Sequence, residues 1–148
     1  MMIRGFEVVS QYKDCDIILP IRKTAASAGY DLATAHDSTL LPGRVTVLHT
    51  GIKAYMQHDE YLGIYIRSGL AIKYCLSLIN GQGIIDADYY NNMENEGHIM
   101  IAIFNHGTEA VELKKGTRVA QGIFYKYLKA DNDCAAEVRS GGFGSTGQ

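Results

Sequence analysis

The residues best suited to chemistry lie close to the end of the sequence, where Arg139 precedes Gly141-Gly142-Phe143-Gly144-Ser145-Thr146-Gly147. Four glycines, two hydroxyls and one aromatic ring cannot build a core. They can do something else. Glycine lets backbone N–H groups approach an anion closely. Ser145 and Thr146 add hydroxyl donors, Arg139 adds a cation, and Phe143 can stack on a flat ring. The segment reads as a mobile flap that closes over a molecule with a base at one end and phosphates at the other. Gly142-x-Gly144-x-x-Gly147 also matches the dinucleotide fingerprint. That fingerprint has meaning only between a strand and a helix. The sequence stops one residue later, so the reading is set aside. No G-x-x-x-x-G-K-[ST] run occurs, which removes a P-loop ATPase or kinase.

Two further clusters could meet such a ligand. Asn80-Gly81-Gln82-Gly83-Ile84-Ile85-Asp86-Ala87-Asp88-Tyr89 has the pattern of a β-hairpin around a favoured tight-turn pair. A hairpin tip exposes backbone donors and acceptors that can pair with the edge of a base. Asp86, following two isoleucines, could serve there as a general base on water. Ile66-Arg67-Ser68-Gly69-Leu70 joins a strand end to a helix start. An arginine, a serine hydroxyl and free amides make a phosphate cradle, with Ser68 expected as the N-cap.

Strands must position these groups, because the dominant hydrophobic period is two. Segments 45–52, 61–66, 98–104 and 119–125 each carry an apolar face. Turn signals fall at Pro42-Gly43, Asn80-Gly81, Asn105-His106-Gly107 and Lys115-Gly116. Short strands with glycine turns predict an all-β, jelly-roll-like sandwich. One short helix is expected at 68–74. Residues 1–128 are expected to form the β domain. Residues 129–148 lose the strand period and should form a flexible glycine-rich arm that closes over a site, on the same subunit or a neighbouring one.

Composition narrows the function classes. A net charge of −2 offers no global basic field for nucleic acid, so a polyanionic ligand needs local cations. Three scattered cysteines without a C-x-x-C pair suit a reducing compartment and argue against structural zinc. The five histidines lack ligand spacing and are read as surface or strand residues. Neither a signal peptide nor a long apolar span is seen, which predicts a cytoplasmic protein with no membrane partner.

Taken together, five segments resemble the five motifs of the trimeric dUTPase family, in order and over nearly the whole chain. They are Ala28-Gly29-Tyr30-Asp31-Leu32, Arg67-Ser68-Gly69-Leu70, Asn80 through Tyr89, Gly116-Thr117-Arg118-Val119-Ala120-Gln121, and Arg139 with Gly142 through Gly147. The resemblance implies hydrolysis of dUTP to dUMP and pyrophosphate. Asp86 would activate the water that attacks the α-phosphorus. Tyr89 would pack under the deoxyribose and leave no room for a 2′-hydroxyl. Asn80, Gly83 and Ile85 would help to read uracil, largely through backbone groups. Arg67, Ser68, Gly69 and Gln121 would hold the phosphates. Arg139, Gly144, Ser145 and Thr146 would close on the γ-phosphate end while Phe143 stacks on the base. Asp31 would support the site, with waters near the metal as one route. Arg118 would be structural or would pair with a carboxylate across a subunit interface. The implied cofactor is Mg²⁺ bound through the triphosphate rather than by a protein cage, and the implied assembly is a homotrimer with shared sites.

Three departures stand out. Ile66 replaces a usual proline, and Arg139 sits one residue closer to Phe143 than is common. Residues 90–96 lengthen a usually short step, and their simplest reading is a surface loop. Two alternatives remain on the same fold: a dCTP deaminase-like enzyme, and a phage-borne regulatory protein that senses nucleotides.

Overall fold

The computed structural model describes residues 1–144, so Ser145 and Thr146 lie outside the described residues. Eleven short strands follow one another: β1 (Gly5–Val8), β2 (Tyr30–Ala33), β3 (Ser38–Leu40), β4 (Val45–His49), β5 (Ile52–Tyr55), β6 (Glu60–Ile66), β7 (Leu76–Leu78), β8 (Gly83–Asp86), β9 (Met100–Asn105), β10 (Val111–Leu113) and β11 (Arg118–Lys126). A single α-helix among the described residues, α1 (Ser68–Tyr74), follows β6. The expected all-β sandwich with one short helix is what forms.

All pairings are antiparallel. One sheet runs β2-β11-β6-β8 and another β4-β9-β7, with two-stranded ribbons β1-β5 and β3-β10 beside them. Leu32, Leu62, Ile64 and Ile85 from the first sheet join Leu48, Leu78, Ile101 and Ile103 from the second in one buried cluster. Period two explains this best in β9, where Ile101, Ile103 and Asn105 are buried and their neighbours are half-exposed.

Four expectations need correction. The apolar run at 45–52 is two strands, because Gly51 at φ 75° turns the chain between β4 and β5. The Asn80-Gly81 turn does not close a hairpin. β7 pairs with β9 and β8 pairs with β6, so the turn carries the chain from one sheet to the other. A tight turn is locally coded, but the partner of each flanking strand is chosen by long-range packing. Ser68 is the first residue of α1 rather than its cap. Arg67 holds the extended cap position, and its side chain makes no capping bond. Finally, the histidines are not all peripheral. His98 is buried, and its ring lies 5.2 Å from that of His49 and 5.1 Å from that of Tyr12. Its Nε2 accepts the Gly51 N–H at 2.9 Å. Burial and the neighbouring imidazoles push its pKa down to about 4.

Candidate active site

β8 is the edge strand of the four-stranded sheet, paired on one side with β6. Its other edge therefore presents unpaired backbone donors and acceptors. The turn from β7 brings Asn80 to the same place. Asn80, Gly83, Ile85, Asp86 and Tyr89 line one side of a cleft of about 270 Å³, and Arg139, Gly142, Phe143 and Gly144 line the other. The surface expected from the sequence to meet a base is thus an open strand edge beside a sheet-crossing turn, rather than a hairpin tip. Gly83 lies against Ile64, where a Cβ would meet the isoleucine side chain at 3.1 Å.

Asp86 closes β8 with its side chain about half exposed, and Tyr89 follows on a short 3-10 turn. The Tyr89 ring is buried. Its hydroxyl donates to the His98 carbonyl at 2.7 Å and accepts from Asn95 Nδ2 at 2.8 Å. Burial raises the Tyr89 pKa, so the phenol stays neutral.

Arg139 reaches this cleft and not the Arg67 region. Its Nη2 lies 2.7 Å from Asp86 Oδ2 and its Nε 2.8 Å from Asp88 Oδ1. The guanidinium carbon sits 5.7 Å from the Tyr89 ring centroid, within cation–π range. Only 8% of the Arg139 side chain is exposed, although residues 127–144 carry no helix or strand. The Gly142 N–H is bound to Glu94 Oε2 at 2.5 Å. Phe143 remains exposed at the cleft mouth.

The remaining residues that the sequence singles out gather elsewhere. Gln121 of β11 pairs with Asp31 of β2 on one side and Tyr65 of β6 on the other. Its amide lies over Gly29, where any Cβ would collide with it. Asp31 Oδ1 is 3.5 Å from Arg67 Nε, and Oδ2 is 3.8 Å from Arg118 Nη1. Within this chain, Asp31 is the carboxylate nearest the Arg118 guanidinium. Asp31 Oδ2 is buried and has no hydrogen-bond partner among the described residues. Asp31, Arg67, Ser68 and Gln121 border an open hollow of about 380 Å³ together with Lys23 and Ser27. Gly69 lies on the adjoining face with Arg118 and Lys73. Lys23 was not singled out by sequence pattern; the Arg22-Lys23 pair just ahead of Gly29 was the available signal.

β6 joins the two groups and keeps them apart. Tyr61 is opposite Asp86, whereas Arg67 follows the far end of the strand. Six residues at strand rise separate the two positions by about 20 Å.

Comparison with known proteins agrees with this fold. A family profile described as dUTPase matches residues 16–147. A deoxyuridine 5′-triphosphate nucleotidohydrolase of Lactococcus lactis is 50% identical, over 99% of each chain. The dUTPase of Streptococcus mutans superposes with a TM-score of 0.82 at 44% identity, covering 86% of this chain and 99% of that one. A dUTPase of phage phi11 of S. aureus shares the fold at a TM-score of 0.74 and 19% identity, over 94% of this chain and 99% of that one. With a family match over most of its length and a half-identical relative along all of it, the chain belongs to the dUTPase family.

Proposed function

We propose that the protein hydrolyses dUTP to dUMP and pyrophosphate in sites assembled between subunits of a homotrimer. The observation that carries this reading is the cleft at the open edge of β8, where a base-reading backbone, the Tyr89 ring and the Asp86 carboxylate face one volume. Uracil pairs with the free strand edge and Asn80. Cytosine, with its reversed donor and acceptor, leaves those groups unpaired, which is a heavy penalty in a closed site. Tyr89 forms the floor beneath the deoxyribose. Asp86 takes a proton from water as the water oxygen bonds to the α-phosphorus. The bond from that phosphorus to its bridging oxygen breaks, and pyrophosphate leaves.

The phosphates need cations, since the chain as a whole is acidic. Arg67, Lys23, Ser68 and Gln121 supply one cradle. That cradle stands about 20 Å from the Asp86 of the same chain, too far to share one α-phosphate with it. A neighbouring subunit must bring the complementary half, as a head-to-tail ring allows. Residues 129–148 act as the closing segment, with Phe143 stacking on the base and Arg139, Gly144, Ser145 and Thr146 on the phosphate side.

Mg²⁺ suits the donors that are present. Among the described residues no cluster of three or more His, Cys, Asp or Glu could hold a metal. The unpartnered Asp31 Oδ2 in the phosphate hollow fits the water shell of a cation held by phosphate oxygens. Mg²⁺ supplies charge neutralisation on the triphosphate when bound. Three free cysteines fit a cytoplasmic setting, and no described helix is long and apolar enough to cross a membrane.

The test is pyrophosphate release from dUTP with Mg²⁺, with dCTP, dTTP and UTP in parallel. Release from dUTP alone is expected. Ammonia from dCTP, or tight dUTP binding without release, would overturn the proposal.

A further inference from the structure

The 90–96 segment is not a loose surface excursion. Asn92 is buried, and its Oδ1 accepts the N–H groups of Glu94 and Asn95 at 3.0 and 3.1 Å. Its Nδ2 donates to the Tyr89 carbonyl at 2.8 Å and to Asn95 Oδ1 at 2.7 Å. Asn95 Oδ1 also accepts the Gly97 N–H at 3.0 Å. Two donors on one oxygen fix which end of the Asn95 amide points where. Its NH2 group is left facing the Tyr89 hydroxyl at 2.8 Å.

The loop itself is held from behind. Lys53 is buried on β5, and its ammonium binds Asn91 Oδ1 at 2.6 Å and Glu96 Oε1 at 2.8 Å. It also lies 5.1 Å from the Tyr90 ring centroid. Asn91 and Glu96 both adopt left-handed backbone, at φ 56° and 65°. A glutamate rarely holds that conformation without external ties. The ties are Lys53 and Ser10, whose N–H and hydroxyl both bind the Glu96 carboxylate.

We propose that Asn95 is a positioning residue that sets discrimination between deoxyribose and ribose by fixing the Tyr89 ring. The Tyr89 hydroxyl is used twice on the protein side, as donor to His98 and acceptor from Asn95. The ring therefore cannot slide away from the cleft without breaking a buried bond. A floor that cannot slide has no room for an added hydroxyl, whereas a pocket that yields rejects one only weakly. This inference rests on the reading of Tyr89 as the sugar floor.

The experiment compares kcat/KM for dUTP and UTP in the full-length, Mg²⁺-loaded enzyme. Asn95→Ala is expected to lower the dUTP/UTP ratio by about tenfold or more, mainly through better use of UTP. Asn95→Asp removes the donor to Tyr89 while keeping the oxygen that accepts from Gly97, and it serves if the alanine variant fails to fold. In a Tyr89→Phe background, where the hydroxyl is gone, the Asn95 substitution should no longer change the ratio. Tyr89→Ala separates the two readings. If Tyr89→Ala relaxes discrimination and neither Asn95 variant does, the positioning role of Asn95 is overturned alone. If Tyr89→Ala leaves discrimination intact, the sugar-floor reading falls and the inference falls with it.

Discussion

Arg67 and Asp86 stand at opposite ends of one strand: Asp86 faces Tyr61 across the β6–β8 ladder, and Arg67 follows Ile66 at the far end of β6. If the two groups must meet one triphosphate, they must come from different chains. Arg67→Ala and Asp86→Asn should each be inactive alone. Co-refolded at equal amounts, they should recover about a quarter of the wild-type rate, the share of composite sites that receive both intact halves. No recovery would place both groups in a single-chain site.

Asp86→Asn keeps the shape of the cleft and removes the proposed proton acceptor. Turnover of dUTP should fall by about 10²–10⁴-fold, the usual contribution of a general base. Binding, measured by calorimetry with dUTP, should change little. Retained turnover would remove Asp86 from the role of base.

Deletion of 141–148 should cost most of the activity and little stability. The segment from Tyr127 to Gly144 contributes no strand or helix, and Phe143 is exposed. The melting temperature should shift by no more than about 3 °C, the size of a 1 kcal/mol change in a chain of this length. Steady-state kinetics and a thermal melt of the truncated protein check the two halves of the statement.

His98 gives stability an acid limit. Its pKa is held down to about 4 in the folded protein, chiefly by burial. The unfolded chain takes up the proton near the ordinary histidine value, so stability is fully present above about pH 6.5. It is lost as pH falls from there toward 4, by up to about 3 kcal/mol. Denaturant melts from pH 7 to 4.5 measure this. His98→Gln, which cannot be protonated in that range, should flatten the profile.

How much of this was readable in the sequence follows from the range of the forces involved. Leu62-x-Ile64-x-Ile66 and the helical run 68–74 were legible because their signals lie within a few residues. The Asp86 and Arg67 clusters stand out in the sequence because reactive groups sit beside a tight-turn pair and a strand-to-helix junction. The separate destinations of β7 and β8 were not, since Asn80-Gly81 specifies a turn and says nothing about which sheet each arm will join. Lys53 and His98 look like surface residues by type. Their burial depends on Glu96, Asn91 and His49, which are distant or ambiguous in sequence. The run Asn91-Asn92-Met93-Glu94-Asn95 reads as polar and therefore solvated. Its side-chain amides are instead spent on Lys53, on one another and on Tyr89.

The turn that carries the chain from β7 to β8 ties the edge proposed for recognition to the sandwich as a whole. Its two arms belong to different sheets, so this rim of the cleft cannot fray as a local unit. Amide hydrogens at Gly83–Asp86 on the β6 side should exchange on the timescale of global opening rather than of loop breathing. The edge proposed to read the base should thus be as durable as the core, and whatever adjusts during turnover is expected in the parts that lie over it.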